Sequence, residues 1–158
     1  MEVRRAVRAL LLDGSDLVLL RRTRPGRPVY WTTPGGGIEP YDAGPEEALR
    51  RELDEELGAV AGPMRQVFAC GEQTGERHRL DTFYVCGLVS MDLSRRHGPE
   101  FDDPANGRYD VDRFRCAPEA LGGVALIPDV LTAYLAAHAA DLPGLLPAGR
   151  TPPSPAGG

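Results

Sequence analysis

At 158 residues the chain is the size of one domain and is long enough to bury a core of its own. Charged residues at 26% and hydrophobic ones at 42% are those of an ordinary globular domain. The net charge of −5 excludes a general binder of nucleic-acid polymers or membrane surfaces, but not a small anion held by clustered arginines.

In chain order, Val3 to Leu12 reads as a buried strand ending in Ala9-Leu10-Leu11-Leu12. Asp13-Gly14-Ser15-Asp16 reads as its turn, and Leu17 to Leu20 as the partner strand of a hairpin. A loop at Arg24 to Pro28 precedes the β-type run Val29 to Thr33, which enters a glycine-rich loop, Pro34 to Gly37. A helix is expected from Pro45, a residue suited to the first helical position, with Leu49, Leu53 and Leu57 as its buried stripe. Met64 to Cys70 and His78 to Val89 read as strands joined by a turn region, Gly71 to Arg77. Ser90 to Gly107 reads as a long polar loop and Arg108 to Arg115 as a strand. Pro128 to Ala140 reads as a closing helix with Val130, Leu131, Tyr134 and Leu135 inward. From Pro143 the composition turns to Pro, Gly and Ser, so a domain over 1–142 with a disordered tail over 143–158 is expected. Strands with helices between and after them predict an α/β domain with a mixed sheet.

The expected helix over 45–57 carries an anomaly. Glu52, Glu55 and Glu56 stand at i, i+3 and i+4 on one face. Gly58 ends the helix, so all three occupy its last two turns, where the macrodipole disfavours anions. The like-charge pair Glu52/Glu56 adds a cost of roughly 0.2–0.5 kcal/mol. A bound divalent cation reverses the sign of both penalties. With a backbone carbonyl from the neighbouring glycine loop, these carboxylates make a hard oxygen site suited to Mg²⁺ or Mn²⁺.

Around this helix the chain resembles the Nudix hydrolases, whose signature is G-x5-E-x7-R-E-U-x-E-E-x-G-U with U a bulky aliphatic residue. Here Gly36 to Ala59 reads G-G-I-E-P-Y-D-A-G-P-E-E-A-L-R-R-E-L-D-E-E-L-G-A, matching at Arg51, Glu52, Leu53, Glu55, Glu56 and Gly58. The preceding W-x-x-P-G-G-G from Trp31 is similar to that family's approach to the motif. Two departures stand out. The motif's first glutamate falls on Ala43 counted from Gly37 or on Asp42 counted from Gly36, and Ala59 replaces the final aliphatic. Asp42 is the preferred equivalent, being acidic and able to accept N–H groups at the helix start.

The resemblance implies a Nudix-type α/β/α sandwich and hydrolysis of a diphosphate in a nucleoside diphosphate derivative. It implies metal ligation by Glu52, Glu55, Glu56 and the Gly36 carbonyl. Arg51 is then expected to orient a glutamate and tie the loop to the helix. The general base is then expected to be Glu52, Glu55 or a loop carboxylate, with Glu100 ahead of Asp102 and Asp103, and a solvated acidic loop is at least as good a reading for each of these three. A homodimer is the assembly the family suggests. The alternative is a non-catalytic Nudix-fold sensor, which has no need to keep a destabilising acidic face.

Arg21, Arg22, Arg24 and Arg27 lie shortly before the glycine loop and could clamp phosphates, as could Arg77 and Arg79. A solvated edge is as good a reading for any one of them. Trp31 could stack a base, with core packing the stronger reading. Glu39 stands beside the glycine loop, with a structural role the stronger reading. His97 and His138 read as surface residues. All 18 basic residues are arginine, with 19 glycines and 15 prolines, which reads as the GC-rich codon usage of a bacterial source. Cys70, Cys86 and Cys116 lack metal or disulfide spacing, no charged-then-apolar leader precedes the first strand, and no stretch approaches the roughly 20 apolar residues of a membrane span, so a cytoplasmic protein is expected.

Overall fold

The structure, a computed structural model, describes residues 2–148. Its centre is β1 (Glu2–Asp13), whose two edges are both used. Along one edge it runs parallel to β6 (Arg77–Met91) from Glu2 to Leu12. Along the other, Ala6 to Arg8 pair antiparallel with β4 (Gly35–Gly37), and Leu11 to Asp13 pair with β2 (Asp16–Thr23). Beyond Val18, β2 leaves β1 and pairs with β3 (Tyr30–Thr32), while β7 (Arg108–Arg115) pairs with β2 along its whole length. The hairpin partner of β6 is β5 (Ala59–Thr74), and β3 runs parallel to β8 (Leu126–Ile127).

Alternation along β1 divides the protein into two cores. Val7, Ala9 and Leu11 face α1 (Pro45–Leu57) and pack with Leu49, Leu53 and Leu57. Leu10 and Leu12 face the other way, with Phe83 and Val85, onto Leu131 and Leu135 of α3 (Val130–His138). A mixed sheet between helices is the expected sandwich.

Several expectations need correction. The glycine stretch is in part a strand, because Gly35 to Gly37 find ladder partners in β1. Gly71 to Thr74 extend β5 to a two-residue turn at Gly75-Glu76, since ladder bonds to Arg77 to Leu80 do not require apolar side chains. The loop after β6 starts only at Asp92 and is organised as three 3₁₀ turns, Leu93–Arg95, Pro99–Phe101 and Pro104–Asn106. Asp92 and Asp103 cap the first and third by accepting from the N–H of Ser94 and Ala105. Val130 opens α3 exposed, not inward. The short α2 (Pro118–Leu121) and β8 were not anticipated. The chain continues past residue 142 as α4 (Leu142–Leu145), with Leu142 buried and Leu145 and Leu146 against the α3-side core. The rest of the expected tail lies outside the described residues. Among those described, no helix is long and apolar enough to cross a membrane.

Candidate active site

Helix α1 forms as its sequence requires. Pro45 supplies the first turn with Glu46 and Glu47 beside it, and Gly58 ends the helix in the left-handed conformation at φ 56°. A β-carbon at Gly58 would also run into the Asp92 carbonyl, so only glycine fits. Asp42 does not cap this helix. Gly44 holds that position without a side-chain bond, and the Asp42 carboxylate is committed elsewhere.

Its partner is Arg51, which binds it through two parallel bonds of 2.9 Å, Nε to Oδ1 and Nη2 to Oδ2. Asp42 also accepts from the Glu39 N–H at 2.8 Å. The guanidinium hydrogen bond, with that backbone bond, holds Asp42 below the ordinary carboxylate range, and Asp42 in turn raises Arg51. The remaining Arg51 donors reach the Gly37 carbonyl at 3.1 Å, Glu52 Oε1 at 3.1 Å and both Glu55 oxygens at 3.4 Å. Arg51 thus ties the loop to the helix and fixes two of the three glutamates.

The glutamates occupy different depths. Glu55 is partly exposed, while Glu52 packs so closely against Gly36 that a β-carbon there would stand 2.5–2.8 Å from its carboxylate. Burial raises the Glu52 proton affinity against the pull of Arg51. Glu56 is buried and accepts from the Gly35 N–H at 3.2 Å. Burial first, and then the Glu52 charge, push it well above the usual range, only partly offset by Arg8. The loop completes the arrangement: oxygens of Glu52, Glu55 and Glu100 lie within 4.8 Å of one another. Asp103 is used as a turn cap, and neither it nor Asp102 joins this cluster. Glu39 contributes its backbone to the turn and is likewise outside the cluster. Gly36 faces Val7 where antiparallel strands exchange ladder bonds, because the bonded pairs Ala9–Pro34 and Arg5–Ile38 bracket it at two-residue spacing. Its carbonyl therefore has one lone pair in the ladder and one to offer.

No basic residue lies in the last turn of α1, but the loop brings N–H donors to it. Arg96 Nε donates to the Glu56 carbonyl at 2.6 Å, and the His97 N–H to the Glu55 carbonyl at 2.9 Å. Arg95 reaches Asp54 at 3.4 Å. The dipole penalty read from the helix alone is thus partly answered by a segment some 40 residues away in sequence, which also delivers Glu100.

A cleft of about 990 Å³ opens where β1 and β2 part, with Glu52, Glu56 and Glu100 on its wall. Of the arginines expected there, Arg22, Arg27 and Arg79 line it. The Arg22 guanidinium lies 3.5 Å over the Tyr109 ring and donates to the Asn106 carbonyl at 2.6 Å. Arg24 and Arg77 do not line the cleft. Arg77 opens β6 opposite Glu2, at the far end of the sheet. Arg21 points away and pairs with Asp112 at 3.2 Å. Trp31 is a packing residue: its Nε1 donates to Asp112 at 2.9 Å and its ring meets Phe114 edge-on at 6.0 Å. His97 and His138 are exposed. Arg4, Arg8, Tyr30 and Tyr109 also line the cleft and were not singled out. The even spacing of Arg4 and Arg8 within a strand was the available signal, since it places both on one face.

A family profile for the NUDIX domain matches residues 2–127. The chain belongs to the NUDIX family. No curated protein sequence matches it. Among solved structures it is similar to a MutT NUDIX hydrolase from Burkholderia pseudomallei, with a TM-score of 0.63 at 16% identity over 85% of this chain and 98% of that one. It is similar to the E. coli ORF135 protein, with a TM-score of 0.55 at 23% identity over 85% and 87% of the two chains. It is also similar to the MutT protein from Methanosarcina mazei, with a TM-score of 0.56 at 23% identity over 84% and 90%. At these identities the likeness is one of fold. In this NUDIX chain the residue facing Arg51 is Asp42, not Ala43, which favours Asp42 as the equivalent of the motif's first glutamate.

Proposed function

We propose that this Nudix protein hydrolyses a diphosphate linkage in a nucleoside diphosphate derivative and depends on a divalent cation, Mg²⁺ or Mn²⁺. One observation carries the reading: three carboxylates converge within 4.8 Å beside a fourth that is buried, and Glu52, Glu56 and Glu100 of this set line a cleft whose cations are arginines. All-oxygen donors of this number suit a hard divalent ion. Glu52, Glu55 and Glu100 would hold it, with the Glu56 charge behind them and the Gly36 carbonyl beside them. When bound, such an ion polarises a phosphoryl oxygen and neutralises charge that develops there.

The chain's own residues supply the rest. Glu52 is the carboxylate we assign as proton acceptor, since it lines the cleft and Arg51 fixes its Oε1. As water oxygen bonds to phosphorus, its proton passes to Glu52 and the bridging P–O bond breaks toward the leaving phosphate. Arg8 and Arg22 hold the cleft walls in place through the Gly35 and Asn106 carbonyls. The free thiols, with Cys86 and Cys116 buried, fit a reducing compartment, and we expect a cytoplasmic protein, with a homodimer as the family's suggestion.

A panel of nucleoside diphosphate derivatives, assayed with and without Mg²⁺ or Mn²⁺, tests this directly. Hydrolysis of at least one member at a phosphorus–oxygen bridge, abolished by EDTA, is the expected result. Saturable binding without turnover across the panel would replace the enzyme by a sensor.

A further inference from the structure

Two of the cleft's arginines, Arg4 and Arg79, are not on the same side of the sheet as the glutamates, whereas Arg22 shares the parity of Val18 and Leu20 and faces the α1 side. In β1, Arg4 and Arg8 share the parity of Leu10 and Leu12, which face α3, while Val7, Ala9 and Leu11 face α1. In β6, Arg79 and Asp81 share the parity of Phe83 and Val85 and face the same way as Arg4. The glycine strand agrees. A β-carbon at Gly36 would meet the Glu52 carboxylate, whereas one at Gly37, on the opposite face, would stand 3.1 Å from Arg4 Nη2. β4 therefore separates an acidic face from a basic one, and the cleft reaches both because β1 and β2 part there.

The cleft wall on the basic face is short of anions. Arg4 and Arg79 stand directly opposite each other in the parallel ladder, a placement that costs stability for like charges. Asp81 is the carboxylate among them, and it is shared by Arg79 at 3.2 Å and Arg8 at 3.9 Å. Among the described residues Arg4 makes no ion pair, and Glu72, opposite Arg79 on β5, makes none with it. Arg4, Arg8 and Arg79 thus line the cleft from this face while its carboxylates, Asp81, Glu72 and Glu2, do not, which leaves positive charge at the cleft wall where a dianion would satisfy both facing donors.

We propose that Arg4 and Arg79 form a phosphate subsite that holds a phosphomonoester lying outside the diphosphate to be cleaved. The favoured substrate class is then a nucleoside diphosphate derivative carrying a further phosphate, in preference to its unphosphorylated counterpart. This rests on the hydrolase reading for its role in catalysis, but not for binding.

The probes are two dinucleotides that differ only by a ribose 2′-phosphate, NADPH and NADH. With EDTA present to prevent turnover, the wild type should bind NADPH at least about tenfold more tightly, the yield of one charge-assisted Arg–phosphate contact. Arg4→Gln and Arg79→Gln should each reduce that ratio severalfold and together bring it near one. Arg5→Gln, an equal change of charge at a residue that does not line the cleft, should leave it as it was. Equal affinity for the two dinucleotides, no binding of either, or the same loss in Arg5→Gln would overturn the subsite. Preferential binding of NADPH without hydrolysis of any panel member would uphold the subsite and sink the hydrolase reading alone.

Discussion

Two acidic regions flank Arg51, and they are built in opposite ways. At Asp42 the carboxylate receives two guanidinium bonds and a backbone N–H, and its proton affinity is lowered. At Glu56 the carboxylate receives one backbone N–H, faces another glutamate and is buried, and its proton affinity is raised. The first arrangement is complete within the folded chain. The second is complete only when a proton or an added cation supplies what the protein withholds. The contrast shows that carboxylates close together in sequence can be answered by the folded chain in one place and left unanswered in another.

The largest expected break in the contrast is Glu56→Gln. It keeps the shape and the bond from Gly35 but removes the unanswered charge, and kcat with Mg²⁺ should fall by roughly a thousandfold, some 4 kcal/mol of barrier. Retained activity would move the chemistry away from this end of the helix. Arg51→Ala attacks the completed side and should cost about 3 kcal/mol in denaturant unfolding, the range for stripping one partner from a largely buried ion-pair network. Glu100→Gln tests whether the loop carboxylate belongs to the site. About a hundredfold loss of kcat with unchanged Tm is expected, whereas an unaltered rate would reduce Glu100 to a surface residue.

The pH dependence should have opposite signs in the two regions. Raised Glu52 and Glu56 mean that the native state holds protons more strongly than the unfolded one. Their contribution therefore becomes unfavourable as pH rises above the ordinary glutamate value of 4.5. Lowered Asp42 stabilises above 3.8, and that stability is lost as pH falls through its native value. In EDTA, the Tm advantage of Glu56→Gln over wild type should grow by a few degrees from pH 4.5 toward 7, and Mg²⁺ should erase it. A difference independent of pH would contradict the assignment. The smallest effect is expected from Arg96→Ala, which removes the loop's donor to the Glu56 carbonyl. About 1 kcal/mol should be lost, together with weaker Mg²⁺ binding at the repositioned glutamates.

Much of this was legible before any coordinates. The stripe of Leu49, Leu53 and Leu57, the proline at the start of α1 and the glycine at its end determine that helix locally, and the helix places Glu52, Glu55 and Glu56 on one face whatever surrounds it. The alternation in β1 was equally visible, although Arg4 and Arg8 were not read from it. What the sequence could not decide were relations between distant segments. Local pattern says which face a side chain takes, but not what stands opposite it. Only the tertiary structure brought Arg96 and Glu100 to the end of α1, joined Asp42 to Arg51 rather than to the helix start, and turned Trp31 away from the cleft toward Asp112. Burial belongs to the same class. Three glutamates of equal intrinsic acidity became three different groups because the sheet, Gly36 and the loop exclude water from them unequally.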